Sequence, residues 1–264
     1  MTQPSIEAFL TAHGQRPAWP GMAPELRPAS IPDAYRLLHA VHDRLDAAGN
    51  RRMGWKVGST SAAGQRIWGL SEPVYAGLFE ADRSPGLGDG LRRPLARPSV
   101  EIEIAVVVGR DIDASATPAT VADHIGACHV ACEIIDNRYG EPLPLGVPTL
   151  VADDFFQAGW VLGPVNPDWR TQDLAAAEGF IEIDGDRKSG SARSILSAFE
   201  SLCWLACALA RDGMVLRAGE VVLTGTLVPP VPVPADARAV SMGISGFGTL
   251  AMAPSEAIES HTAR

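Results

Sequence analysis

Pro98-Ser-Val-Glu-Ile-Glu-Ile-Ala-Val-Val-Val108 decides how this chain is read. Its β-branched residues predict a strand, but Glu101 and Glu103 interrupt the apolar run. Residues two apart on a strand share a face, about 6–7 Å apart at Cα, so both carboxylates can converge on one cation. A second apolar run, Val130-Ala-Cys-Glu-Ile-Ile135, carries Glu133. A buried carboxylate costs several kcal/mol unless it is paired or ligates a metal. Three acids on neighbouring strands make an all-oxygen site suited to Mg²⁺ or Mn²⁺. The competing reading puts Glu101 and Glu103 on the solvent face of an amphipathic strand, and Glu133 weighs against it.

Upstream, Met53, Trp55 and Val57 alternate with Gly54, Lys56 and Gly58, which predicts another strand. A lysine there is either a solvated edge residue or, beside a cation that lowers its pKa, a group for proton transfer. The flanking glycines allow close approach of backbone or ligand.

Further out, Ser5 to Ala12 reads as a short helix, and five prolines between residues 14 and 32 read as an extended connector. Ser30 and Pro32 open a helix whose apolar positions are Ala34, Leu37, Leu38, Val41 and Leu45; Gly49 ends it. His39 and His42 on this helix read as surface or flank residues. Residues 60–70 predict a short helix, and Thr117-Pro118 caps a helix running to about Gly126. Strands are expected at 129–136, 159–162, 179–183, 221–224 and within 239–252, with an amphipathic helix from Ser194 to Arg211. Strands and helices do not alternate as βαβ units, so the fold class is α+β with a mixed sheet. The expected division is a helical region at 1–70 packed on a mixed-β catalytic domain at 71–264.

With 264 residues, 46% hydrophobic and 20% charged, the chain can bury a large core. A net charge of −9 argues against nucleic acid and anionic membrane as partners. No apolar run approaches the about 20 residues that span a bilayer, and residues 1–13 lack the pattern of a signal peptide, so a cytoplasmic location is expected. Cys128, Cys132, Cys203 and Cys207 form two C-x3-C pairs. They read as reduced cysteines rather than as a metal or redox site, because zinc sites usually use C-x2-C or recruit nearby histidines.

Gly54-Trp-Lys-Val-Gly58, Glu101-Ile-Glu103-Ile-Ala, Glu133-Ile-Ile-Asp-Asn-Arg138 and Leu216-Arg-Ala-Gly-Glu-Val-Val-Leu-Thr-Gly225 resemble the 2-oxopent-4-enoate (2-hydroxypentadienoate) hydratase and 4-oxalocrotonate decarboxylase family, within the fumarylacetoacetate hydrolase superfamily. Order and spacing hold from about Pro32 to Met252. The resemblance implies a mixed β-roll carrying an N-terminal helical part. It implies Glu101, Glu103 and Glu133 as ligands of Mg²⁺ or Mn²⁺, and Lys56 as the proton-transfer residue, aided by Asp154. It further implies that Arg138 holds a substrate carboxylate or orders the site, and that Thr226 contacts substrate. A homo-oligomer is implied, with pairing to a related pathway enzyme as a further option.

The chain departs from the hydratase pattern at two places. Asp153-Asp-Phe-Phe-Gln-Ala-Gly159 stands where the hydratases carry Ala-Asp-Asn-Ala-Ser before a glycine. Counting back from Gly159 selects Asp154 as the family aspartate; a shift by one selects Asp153. The spacing of Asp154 and Phe156 looks like the hydrolase branch. Leu196-Ser-Ala-Phe199 replaces a Gly-His-Pro turn. The leading expectation is a lyase acting on a small 2-oxo acid or its enol, a hydratase of aromatic-compound catabolism. A 4-oxalocrotonate-type decarboxylase, an acylpyruvate-type C–C hydrolase and a non-catalytic partner subunit are the alternatives.

Overall fold

A computed structural model describes residues 2–14, 22–139 and 141–252. The helices are α1 (Gln3–Gly14), α2 (Ile31–Ala47), α3 (Ala62–Trp68), α4 (Leu87–Leu91), α5 (Val147–Ala152) and α6 (Ala198–Arg211). The strands are β1 (Arg52–Gly58), β2 (Val74–Phe79), β3 (Pro98–Val108), β4 (Ile125–Asp136), β5 (Gln157–Val165), β6 (Glu178–Ile183), β7 (Asp186–Ser191), β8 (Val221–Thr226), β9 (Val231–Pro232), β10 (Val240–Ile244) and β11 (Gly248–Met252).

Two sheets organise the described residues. The larger runs β2-β1-β8-β3-β4-β5, with β9 added to β3; the smaller runs β11-β10-β6-β7. β1 and β8 are parallel, and the other pairs are antiparallel, so the sheet is mixed and the fold is α+β, as expected. The chain from 1 to 70 is not helical throughout: β1 lies within it and is hydrogen-bonded to β2 and β8.

α2 follows from its sequence. Ser30 accepts a hydrogen bond from the Asp33 N–H at its start, and Ala34, Leu37, Leu38 and Val41 are buried along one stripe. Each of the large apolar side chains contributes about 1.5–3 kcal/mol by leaving water. α1 spans Gln3–Gly14, so the helix expected from Ser5 to Ala12 starts two residues earlier and ends two later. Part of the proline-rich connector, residues 15–21, lies outside the described residues; Pro24–Leu26 forms one 3-10 turn.

The helix expected from Thr117 is absent. Thr120 Oγ1 accepts the Thr117 N–H, closing a turn, and a 3-10 turn at Val121–His124 leads directly into β4. α6 starts later than Ser194, because Ser197 and Glu200 form a reciprocal capping box. β2 and β7 were not foreseen. β7 closes a hairpin with β6 through Asp184 and Gly185, at φ 49° and 90°, a pairing of positive φ values typical of tight hairpins.

Candidate active site

The register of the large sheet builds the site. Glu101 on β3 stands directly opposite Glu133 on β4, and Glu103 stands opposite Thr226 on β8. On the far side of β8, Lys56 pairs with Leu223. Ligand oxygens of Glu101, Glu103 and Glu133 lie within 4.8 Å of one another. Glu103 and Glu133 are buried, and Glu101 keeps part of its surface open. The solvent-face reading of the E-x-E strand therefore does not hold.

Lys56 is buried and reaches across to this cluster. Its Nζ lies 3.1 Å from Glu133 Oε1 and donates to the Phe155 carbonyl at 2.9 Å. Burial opposes its charge, but Glu133 and then Glu101 outweigh burial and hold the pKa above the usual value. Withdrawal from water and the facing Glu133 carboxylate push Glu101 up to about 8. The same two causes, joined by Glu101, hold Glu103 well above the carboxylate range, although the Gly225 N–H donates to Glu103 Oε2 at 2.6 Å. At an effective dielectric of about 20, two unit charges about 4 Å apart repel by about 4 kcal/mol. A buried set of this kind calls for a cation, and its donors are all carboxylate oxygens, which fit Mg²⁺ or Mn²⁺.

Two glycines shape this centre. A Cβ on Gly54 would run into the Val221 carbonyl, so its absence lets β8 lie against β1. Gly225 adopts φ +112°, and a Cβ there would collide with Thr60; this conformation aims its N–H at Glu103.

The turn between α5 and β5 forms the wall beside Lys56. Asp154, Phe155 and Phe156 are three consecutive non-glycine residues at positive φ, 56°, 45° and 69°. Phe155 and Phe156 pack edge-on at 5.4 Å between ring centroids, and Trp68 lies 5.5 Å from each. The Asp154 carboxylate points into a buried polar cluster. Its Oδ1 accepts the Gly77 N–H at 2.8 Å and lies 2.8 Å from His42 Nε2, while Oδ2 lies 3.3 Å from His13 Nε2. Burial works against this carboxylate, but His42 and His13 hold its pKa well below the usual range. Asp153 is also buried and pairs with Arg138 and the Tyr139 hydroxyl.

Sequence positions therefore fall into two groups. Lys56, Glu101, Glu103 and Glu133 come together. Arg138 is closed from solvent and held by Asp153, and Thr226 Oγ1 donates to the Val228 carbonyl at 2.6 Å. His42 is not a surface residue: it is 1% exposed and bonded to Asp154. Its position four residues after Leu38 on the apolar stripe was the available signal. His13, remote in sequence, had none. His39 bonds the Tyr75 hydroxyl at 2.9 Å. The four cysteines are free thiols, and burial pushes Cys128 up to about 12 and Cys203 up to about 11.

Residues 78–253 match the family described as fumarylacetoacetate (FAA) hydrolase, C-terminal. The 2-keto-4-pentenoate hydratase of Paraburkholderia phymatum is 36% identical over 232 residues, covering 84% of this chain and 86% of that protein. The TodF product hydratase of Pseudomonas putida is 34% identical over 226 residues, covering 83% and 82%. Among solved structures, 4-oxalocrotonate decarboxylase from Pseudomonas putida, complexed with magnesium and adipate, superposes with a TM-score of 0.84 at 23% identity, over 96% of this chain and 98% of that one. Fumarylpyruvate hydrolase from Pseudomonas aeruginosa, in complex with Mn²⁺ and pyruvate, gives 0.60 at 20% identity, over 76% and 88%.

Proposed function

The chain belongs to the fumarylacetoacetate hydrolase family, and from that premise we propose that it is a divalent-metal-dependent lyase that hydrates a 2-hydroxypenta-2,4-dienoate-type substrate in the breakdown of aromatic compounds. The observation that carries this reading is the buried triad of Glu101, Glu103 and Glu133 with the Lys56 ammonium 3.1 Å from Glu133. The hydratase is preferred to the decarboxylase because relatives sharing about a third of their residues bear hydratase names, whereas the decarboxylase structure shares 23%.

Glu101, Glu103 and Glu133 would hold Mg²⁺ or Mn²⁺. When bound, the ion supplies Lewis-acid stabilisation of the negative charge that develops on the substrate's 2-oxygen. Lys56 has three N–H donors. One is held by the Phe155 carbonyl and one faces Glu133, which leaves the third for the substrate. Through it Nζ exchanges a proton with the substrate, interconverting the 2-hydroxydienoate and its 2-oxo tautomer; water then adds to the conjugated carbon. Phe155, Phe156 and Trp68 keep bulk water from the Lys56 side of the site. Arg138 acts by ordering the turn that carries Asp153, and the Thr226 hydroxyl, with its lone pairs unused by its donation to Val228, contacts the substrate. Asp154, expected to aid Lys56 in proton transfer, has its carboxylate engaged by His42, Gly77 and His13 instead, and supports the same turn.

No helix among the described residues is long and apolar enough to cross a membrane. Cytoplasmic location, a homo-oligomeric state and pairing with a related pathway enzyme belong to the same proposal.

The test is an ultraviolet assay of metal-stripped protein offered 2-hydroxypenta-2,4-dienoate or 4-oxalocrotonate, with and without Mg²⁺ or Mn²⁺. Metal-dependent loss of the dienoate absorbance is the expected result. Release of CO₂ from 4-oxalocrotonate, without dienoate hydration, would replace the hydratase by the decarboxylase.

A further inference from the structure

We propose that His42 is a positioning residue for Lys56: by gripping Asp154 it holds the Asp154–Phe156 turn in the form that presents the Phe155 carbonyl to the Lys56 ammonium. The inference rests on the role given to Lys56 above, and it lies outside the matched family region, which begins at residue 78.

The turn is an unstable conformation by itself. Non-glycine residues at positive φ cost about 1–3 kcal/mol each and persist only where their surroundings determine them. Here three occur in succession, at Asp154, Phe155 and Phe156. The Asp154 carboxylate is the tether. Its Oδ1 meets both His42 Nε2 and the Gly77 N–H, each at 2.8 Å. Gly77 on β2 is the register partner of Trp55, the residue before Lys56. The tether therefore ties the turn to α2 and to β2, the strand paired with the one that carries the lysine.

The fold makes room for His42 at this point. A Cβ on Gly77 would lie 2.6 Å from the His42 ring, so a larger residue there would displace it. The ring is also fixed edge-on against Phe79, at 4.9 Å between centroids. From this fixed ring the connection runs through Asp154 to the Phe155 carbonyl, and from there at 2.9 Å to Lys56 Nζ. Releasing the turn would swing that carbonyl away. Lys56 would then lean wholly on Glu133 and lose the orientation of its remaining N–H.

The test is a double-mutant cycle on the full chain loaded with Mn²⁺, using His42→Ala, Lys56→Ala and the pair. A misplacement of about 1 Å can cost about a hundredfold in rate, so His42→Ala should lower kcat about tenfold to a hundredfold, with KM changed by less than about threefold. In the Lys56→Ala background the further loss should be less than about twofold, because the two residues act as one unit. His42→Gln, whose amide can donate to Asp154, should recover kcat to within about threefold of the parent. Hydrogen exchange at amides 154–157, which needs no substrate, should rise about tenfold in His42→Ala as the turn opens. Unchanged kcat in His42→Ala, losses that multiply in the double variant, or unchanged exchange would each overturn the proposal. If His42→Ala fails to fold, Asp154→Asn replaces it in the same cycle; failure of both to fold would assign His42 to stability alone and overturn the proposal. A fully active Lys56→Ala enzyme would instead refute the role of Lys56, and exchange would still decide whether His42 holds the turn.

Discussion

Glu103→Gln separates two consequences of packing three acids together, and it drives them in opposite directions. The substitution keeps the side chain's size and an acceptor oxygen for the Gly225 N–H, now 2.6 Å away, while removing one charge from a set whose oxygens lie within 4.8 Å of one another. Full ionisation of neighbours at about 4 Å would cost about 4 kcal/mol per pair at an effective dielectric of about 20. Protonation and the Lys56 ammonium already relieve much of this. The metal-free variant should therefore match the parent or exceed it by up to about 2 kcal/mol. Metal works the other way. A ligand at about a hundred times its Kd adds about 2.7 kcal/mol to the native state. For a chain of this length that is about 5–10 °C in Tm, and the variant should lose nearly all of it. The assay is thermal unfolding of chelator-treated protein across a Mn²⁺ titration, with calorimetry for affinity. A metal-free variant destabilised by more than about 2 kcal/mol would show that Glu103 is structural, and an undiminished metal-induced rise would remove it from the site.

The remaining expectations concern the groups around this centre. Lys56→Ala should lower kcat by at least about a hundredfold while metal affinity changes by less than about threefold, measured by calorimetry and the dienoate assay; a parallel collapse of metal binding would reassign it. Asp154 carries a depressed folded-state pKa, so its contribution to stability is fully present above its unfolded value near about 4 and is lost as pH falls through the folded value. Urea midpoints between about pH 5 and pH 2.5 should therefore fall less steeply for Asp154→Asn than for the parent, and identical slopes would refute the pairing. Gly225→Ala should cost about 1–3 kcal/mol in urea unfolding and weaken Mn²⁺ binding, because φ +112° and the Thr60 side chain both oppose a Cβ; an unchanged affinity would detach the Gly225 N–H from the metal site.

The strands that carry the three glutamates were readable because carboxylates inside apolar, β-branched runs contradict their own surroundings, as at Glu103 and Glu133. At Lys56 the flanking glycines left a solvated edge residue and a proton-transfer group both open, and the family resemblance of Gly54-Trp-Lys-Val-Gly58 favoured the second. β2 was not, since Val74-Tyr-Ala-Gly-Leu-Phe79 is buried on both faces and shows no alternation. β7 was hidden by its polar, exposed sequence; the Asp184-Gly185 turn was its real signal. At Thr117 a good helix start was read where local hydroxyl bonds closed a turn instead. The pairings of Asp154 with His42 and of Asp153 with Arg138 depend on the path of the chain between α5 and β5. No local pattern encodes a contact across 112 positions such as the first of these.

The insertion of β8 between β1 and β3 also sets a timetable for biosynthesis. Gly225, whose N–H completes the Glu103 environment, is made 122 positions after that acid. A ribosome that has delivered β1 through β4 has exposed Lys56 and all three glutamates, but the strand that separates and aligns them is still missing. Long-range pairing of this kind forms slowly, because loop closure precedes the contacts that reward it. The nascent chain therefore holds an acidic half-sheet with an open edge until β8 is made and slots into place.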